Sequence, residues 1–129
     1  MNSDPVTLAF RAREASLLSP EIRVEAGAQF LDEQSPGWHQ RIRSSRLNIT
    51  DMFDCVLGQL YTTYARGRRV CDLDLASSIR LGFTTGIRQD GLITPWQSMA
   101  EESHALEACW RSVIRTRREK ESHGESHPD

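Results

Sequence analysis

Residues 94–118 read TPWQSMAEESHALEACWRSVIRTRR, and this stretch decides the fold that we expect from the sequence. Its first four residues form a capping box, in which the threonine is the N-cap, the proline takes the first helical position and the glutamine takes the third. Apolar side chains then recur at steps of three and four residues, which places them on one face of a helix. The stretch therefore predicts a long amphipathic helix that buries Trp110 and ends near Arg118.

The chain before this stretch predicts further helices. One begins at Ser19-Pro20-Glu21, where serine is a good N-cap, and stops at Ser35-Pro36-Gly37. The next, capped by Thr50 or Asp51, is apolar around much of its girth and runs to about Gly67. Gly58 lies inside that helix and predicts either a close approach by a neighbouring element or a break.

Shorter segments connect these helices. Residues 47–49 predict a strand fragment or an extended linker, and residues 72–81 predict a short helix. Three glycines make residues 82–93 a connector of turns, anchored by Phe83 and Ile87. Towards the N-terminus, Asp4-Pro5 predicts the start of one more helix, with Phe10 and Leu17 joining its apolar stripe less regularly.

The predicted fold class is mainly α: a small single-domain helical bundle with an irregular glycine-rich connector and a disordered C-terminal tail. Residues 1–18 form a peripheral N-terminal helix, residues 19–118 the helical core domain, and the polar residues 119–129 the tail. The side chains that we expect in the core are Phe30, Leu31, Trp38, Ile42, Cys55, Val56, Leu57, Leu60, Tyr61, Leu106, Trp110 and Ile114.

Composition narrows the class of protein. The chain has 129 residues and a formal net charge of −2, so charge alone does not draw it to nucleic acid or to an anionic membrane. No apolar run approaches the ~20 residues that cross a bilayer. The N-terminus lacks the pattern of a signal peptide, and the three widely spaced cysteines predict reduced thiols rather than disulfides or a zinc site. We therefore expect a cytoplasmic protein.

No motif in the sequence predicts catalysis, a metal or a cofactor. There is no Gly-x-Ser-x-Gly elbow and no phosphate-binding loop, and the paired carboxylates fall at predicted helix ends or on solvent faces. The histidines lack the spacing of metal ligands. A weak enzyme hypothesis assembles a site from His39, Gln59, Tyr61 and Tyr64.

Arginines supply the remaining candidates for contact. Residues 72–90 resemble a helix-turn-helix, in which a recognition helix would open at Thr84-Thr85. The arginines of residues 41–46, 66–69 and 111–118 form three groups, and two of these groups could converge into one basic patch. The residues predicted to contact a partner or nucleic acid are Arg66, Arg68, Arg69, Arg80 and Arg88.

Several short motifs follow one another in a familiar order. Pro36-Gly37-Trp38 precedes Cys55-Val56-Leu57-Gly58-Gln59-Leu60-Tyr61, and Gly82-Phe83 and a helix with a central Trp110 follow. This order resembles a family of small uncharacterised proteins from actinobacteria and their phages, over about 90 residues. The chain departs from that family at Thr62-Thr63-Tyr64, where a glycine is common, and in its extra N-terminal helix. The resemblance implies a phage- or prophage-encoded origin but no activity.

The sequence therefore favours a non-enzymatic binding protein that acts through protein contacts, without a cofactor or a membrane partner. The alternative is a small DNA-binding transcriptional regulator that uses residues 72–90. The sequence does not predict the oligomeric state.

Overall fold

The computed structural model describes residues 5–87 and 96–125, and in these residues the chain is mainly helical with no strand, as the sequence predicts. Two short 3-10 helices, Trp38–Gln40 and Ser44–Arg46, follow the second α-helix. The α-helices are α1 (Pro5–Ser16), α2 (Pro20–Gln34), α3 (Val56–Tyr61), α4 (Tyr64–Val70), α5 (Leu75–Arg80) and α6 (Met99–Glu125).

Trp110 lies at the centre of the main hydrophobic core and has no exposed surface. Its indole stacks on Phe83 with ring centroids 5.6 Å apart, and it meets the edge of Trp38 at 5.6 Å. The indole N–H donates to the carbonyl of Gly82 at 2.7 Å, so its polar atom is satisfied inside the core. Eleven of the twelve predicted core residues lie in or against this core, with Phe30, Leu60 and Tyr61 partly buried, and Cys55 is buried outside this cluster.

The crossing of α2 over α6 depends on Gly27. A Cβ atom at this position would collide with the carbonyl oxygen of Leu81 and would lie 3.0 Å from the ring of Trp110. Gly27 therefore allows α2, the turn after α5 and the central tryptophan to come together. Ser19 caps α2, as predicted, by accepting a hydrogen bond from the amide of Ile22 at 3.2 Å.

The predicted helix from about residue 51 to residue 67 is two helices, so the prediction of a continuous element is wrong. The amide of Tyr64 donates to the carbonyl of Met52 at 2.8 Å instead of continuing α3. Thr62 turns the chain with a φ of 88°, and Thr63 then caps α4. Gly58 does mark a close approach, because a Cβ there would collide with the carbonyl of Met52.

The last helix differs from its prediction at both ends. Thr94 and Pro95 of the predicted capping box lie outside the described residues, and α6 begins at Met99. The hydroxyl of Ser98 accepts from the amide of Glu101 at 3.1 Å, so a second capping motif starts the helix. At the other end α6 continues to Glu125, so residues 119–125 are helical, and residues 126–129 of the predicted tail lie outside the described residues.

The N-terminal helix packs against α5 through a second, smaller hydrophobic cluster of Ala12, Ala15, Ala76 and Ile79. Arg11 pairs with Asp74 at 3.1 Å along the same contact. The cap that the sequence predicts at Asp4 lies outside the described residues, as do residues 88–93 of the connector. Residues 47–49 form no strand fragment, because the chain enters a turn at Ile49.

Candidate functional site

A buried ion pair organises the middle of the molecule. Arg23 of α2 and Glu102 of α6 are 2.8 Å apart, with side chains 0% and 2% exposed. The guanidinium also donates to the carbonyls of Ile79 and Thr84, both at 2.8 Å, and the carboxylate accepts from the amide of Gly86 at 2.7 Å. Because both charges are satisfied inside the protein, this pair is structural and leaves no group for a ligand.

The same pair explains why the helix-turn-helix prediction is wrong in its described part. Asp74 caps α5, but no helix opens at Thr84-Thr85. The carbonyl of Thr84 and the amide of Gly86 bind the buried pair, and the amide of Ile87 donates to the hydroxyl of Ser16 at 3.0 Å. The carbonyl of Thr84, which would accept the first hydrogen bond of a helix that opens there, is thus engaged by Arg23. Arg88 and Asp90 lie outside the described residues.

The predicted contact arginines do not share one surface. Arg66 and Arg69 are exposed on α4. Arg68 is half-buried, donates to the carbonyl of Leu73 at 3.1 Å and lies 5.8 Å from the centre of the Tyr64 ring. The depression beside Arg68 and Arg69 is also lined by Asp72 and Asp74, which offset its positive charge.

Arg80 lies at the end of α5, and its exposed side chain lines a different depression, together with residues of α1.

Two of the three arginine groups, at residues 41–46 and 111–118, do converge at the 3-10 helices after α2. Arg111 of α6 donates to the carbonyls of Ser44 and Leu47 at 3.2 and 3.1 Å. Arg118 donates to the carbonyls of His39 and Ile42, with the shortest of its bonds to His39 at 2.7 Å. The arginines of α6 thus hold the segment that carries Arg41, Arg43 and Arg46.

Arg117 has a different role from its neighbours on α6. It forms a two-pronged pair with Asp32 of α2, at 3.1 and 2.7 Å. The hydrogen bond from Arg117 lowers the pKa of Asp32 below its usual value, so this carboxylate stays ionised down to acidic pH. Trp38 donates its indole N–H to the same carboxylate at 2.9 Å, which makes Asp32 a link between α2, α6 and the core.

The four residues of the enzyme hypothesis have separate surroundings. Gln59 accepts from the amide of Arg43 at 2.7 Å, and the hydroxyl of Tyr64 shares a hydrogen bond with Ser78 at 2.7 Å. His39 is buried against Trp38, and its Nε2 lies 3.4 Å from Glu121. Five surface depressions in the described part of the chain have none of these four residues in their lining.

Residues 5–87 and 96–125 give little support for a metal site or for a nucleophilic cysteine. No three His, Cys, Asp or Glu side chains come together there as a metal site would require. All three cysteines are free. Burial raises the pKa of the thiols of Cys55 and Cys109, which disfavours the nucleophilic thiolate.

An apolar stripe on α1 is the surface feature that the sequence analysis missed. Phe10 and Leu17, which we expected to join the apolar stripe of Leu8 and Ala12 less regularly, are 57% and 53% exposed, and Val6 is 77% exposed. Arg13 lies between Phe10 and Leu17 on the same side of the helix. We call Val6, Phe10, Arg13 and Leu17 the α1 stripe. Its signal in the sequence is that these positions are spaced by three and four residues, opposite Leu8 and Ala12.

A shallow apolar groove lies between α1 and α5, and Leu8 and Ala12, which lie opposite the α1 stripe, contribute to its lining. It has a volume of about 260 Å³, and its other lining residues are Ala9, Asp74, Leu75, Ala76 and Ile87. Exposed apolar side chains that recur along one face of a helix are typical of a protein contact surface.

Among the described helices, none is long and apolar enough to cross a membrane. Comparisons with protein-family models, with curated proteins and with solved structures found no match to this chain, so its function has to be argued from its own surfaces.

Proposed function

We propose that this chain is a non-enzymatic binding protein that acts through protein contacts, and that the α1 stripe is its main contact surface. The exposure of Val6, Phe10 and Leu17 carries the proposal, since two large apolar side chains on α1 and one directly after it face water. Removing apolar surface from water contributes about 25 cal/mol per Å², so covering this stripe favours association.

Charge indicates what kind of partner fits. Arg13 lies inside the stripe and Arg80 beside it, and no ion pair within the described residues engages either side chain. A partner helix with an apolar stripe and a carboxylate facing Arg13 would cover the apolar side chains and pair the charge. A second copy of this chain would instead bring another Arg13 and no acidic residue in its stripe. The proposed occupant is therefore an acidic amphipathic helix of a different protein.

The test compares Phe10→Asp with Phe53→Asp. Both phenylalanines are 57% exposed, but Phe53 lies in the loop before α3, away from α1. Tagged wild-type protein is used to capture partners from a lysate of the source cells, and a captured protein is then purified and titrated by calorimetry. We expect one partner with about 1:1 stoichiometry, whose binding Phe10→Asp abolishes and Phe53→Asp preserves. Capture of no specific partner, or equal binding by both variants, contradicts the proposal.

The oligomeric state provides a separate check. Light scattering after size exclusion should find the wild-type chain monomeric. A wild-type dimer that Phe10→Asp dissociates would mean that a second copy covers the α1 stripe, and the proposal of an acidic partner helix would then be wrong.

The alternative proposal, a small DNA-binding regulator, draws support from the exposure of Arg66, Arg69 and Arg80. Asp72 and Asp74 beside the α4 arginines count against it, because they repel phosphates. A gel-shift assay with duplex DNA at increasing salt separates the two functions. Binding that falls steeply with salt and is lost in Arg66→Gln and Arg69→Gln would favour the regulator.

We also propose a cytoplasmic location and kinship with the small actinobacterial and actinophage proteins. Three free cysteines support the location, since thiols persist in reducing compartments. The kinship rests on the order of motifs from Pro36-Gly37-Trp38 to Trp110. Peptide fingerprinting of fractionated source cells tests the location, and secretion of the chain would contradict it.

A further inference from the structure

A second surface, formed mainly by α6, has the features of an anion-binding groove. It lies along the C-terminal half of α6 and has a volume of about 430 Å³. We call it the α6 groove; its lining residues are Ser44, Arg111, Ile114, Arg115, Arg118, Glu119 and Ser122. Arg111, Arg115 and Arg118 are spaced by four and three residues, so they lie on one face of the helix. Ile114, only 1% exposed, forms the floor between them.

Two of these arginines are held in place before any ligand binds. Arg111 uses its Nε and one terminal nitrogen on the carbonyls of Ser44 and Leu47, and Arg118 uses the same two positions on His39 and Ile42. Each guanidinium keeps N–H groups beyond those that the carbonyls accept. Because these side chains are already ordered, a ligand does not have to immobilise them, which lowers the entropic cost of binding.

The positive charge of the groove is not balanced by carboxylates. Arg11, Arg23, Arg46 and Arg117 each pair with an Asp or Glu, whereas no ion pair within the described residues engages the three arginines of the α6 groove. Carbonyl groups orient a guanidinium without neutralising it.

Three acidic residues lie near these arginines on α6, and one of them, Glu121, accepts from Gln40 and lies 3.4 Å from His39. Glu119 is the acidic residue that lines the groove, so three cations face one anion there. Glu107, one turn before Arg111, is buried and accepts from the amide of Ile49 at 2.9 Å.

We propose that the α6 groove binds an extended, acidic peptide segment through its oxyanion side chains. Guanidinium groups recognise carboxylates and phosphates with two parallel hydrogen bonds, so aspartate, glutamate and phosphoserine share the required chemistry. The face from Arg111 to Ser122 extends for about 16 Å along the helix, which matches about five residues of extended chain. The hydroxyls of Ser44 and Ser122 add donors at the edges. This inference goes beyond the α1 stripe and does not rest on it.

Fluorescence anisotropy with labelled peptides of about eight residues tests the inference. One peptide carries glutamates, the second carries phosphoserines at the same positions, and the third carries glutamines. We expect the first two to bind more weakly as salt increases, since the groove is open to solvent, and the third not to bind. The ratio of the dissociation constants of the first two peptides shows which oxyanion the groove prefers. Failure of both acidic peptides to bind at low salt overturns the proposal.

Arg115→Gln and Arg66→Gln form the matched pair of variants. Both arginines are exposed and each substitution removes one positive charge, but only Arg115 lines the groove. We expect Arg115→Gln to weaken binding of the acidic peptides about tenfold and Arg66→Gln to weaken it less than twofold. Equal losses of affinity in the two variants would mean that the peptides are attracted to the net charge of the protein, and this result would overturn the proposed site. Binding of a single-stranded oligonucleotide of the same charge as tightly as the acidic peptides would overturn it as well.

Phe10→Asp should leave binding of these peptides unchanged, so failure of the α1 proposal is distinguishable from failure of this one.

Discussion

Gly27 has a role that only the assembled structure reveals. A methyl group at this position would meet the carbonyl of Leu81 and the ring of Trp110, both parts of the rigid core. We therefore expect Gly27→Ala to lower the free energy of unfolding by about 3 kcal/mol, because overpacking forces backbone apart. Gly37→Ala is the control: it has open space around it but a φ of 81°, so it should cost about 1 kcal/mol. Urea denaturation measures both, and similar losses would contradict the assigned role.

At the same scale, apolar burial was predictable and polar burial was not. Trp110, Leu106 and Ile114 are 0%, 0% and 1% exposed, and their spacing along one helix face predicts this. Arg23 is also 0% exposed, although arginine is seldom buried without a partner. Its partner Glu102 lies on another helix far along the chain, and no local pattern reports such a distant pairing.

At the scale of elements, the ends of the helices show that a local sequence signal can predict a helix boundary wrongly. The sequence predicted a capping box at Thr94, whereas in the structure Ser98 caps the start of α6. The break between α3 and α4 arises because the carbonyl of Met52 takes the amide of Tyr64. That contact depends on how the preceding loop folds back, so the apolar pattern of the segment could not predict it.

Asp74 tests the contribution of one cap to one helix. It caps α5 by accepting from the amide of Ser77 at 2.8 Å, and this bond, with help from Arg11, lowers its pKa below 3.8. A lowered pKa in the folded state means that the cap stabilises the protein above pH 3.8 and that this stability is lost as the pH falls through the lowered value. Because the side chain is 42% exposed, we expect the cap to contribute less than about 1 kcal/mol to the free energy of unfolding.

Asp74→Asn keeps a capping residue but removes the titration. The difference in the free energy of unfolding between the wild type and Asp74→Asn should therefore decrease as the pH falls from 7 to about 2, and urea denaturation measures it. Asp72→Asn, at an exposed position before the cap, should show no such change. A gap between wild type and Asp74→Asn that widens in acid would show that the sign is wrong.

At the scale of the whole molecule, the Arg23–Glu102 pair joins α2, α5, α6 and the connector. Glu102→Ala leaves the charge of Arg23 buried without a partner, and we expect it to cost about 3–5 kcal/mol. Glu102→Gln keeps an acceptor and should cost less. The double variant Arg23→Met with Glu102→Leu should recover much of the loss, since no charge is then buried. Denaturant midpoints check this order, and a loss below about 1 kcal/mol for Glu102→Ala would contradict it.

The two proposed surfaces lie on different parts of this framework. The α1 stripe belongs to the small cluster shared with α5, whereas the α6 groove is fixed by carbonyls of the 3-10 helices. The sequence predicted that two arginine groups could converge but not which two, because convergence depends on how α6 lies across the chain after α2. It did not separate Phe10 from the apolar stripe of Leu8 and Ala12, because the periodicity of α1 is irregular.

The position of α6 after the other helices has a consequence for biosynthesis. Trp110, Glu102, Arg111 and Arg118 all belong to α6, so the centre of the core and the partners of the earlier segments are synthesised after those segments. Until α6 has been made, the apolar side chains of the main core lack the tryptophan that they surround, and such exposed apolar surface favours aggregation. The order of translation thus delays the formation of this core until the codons of α6 have been read.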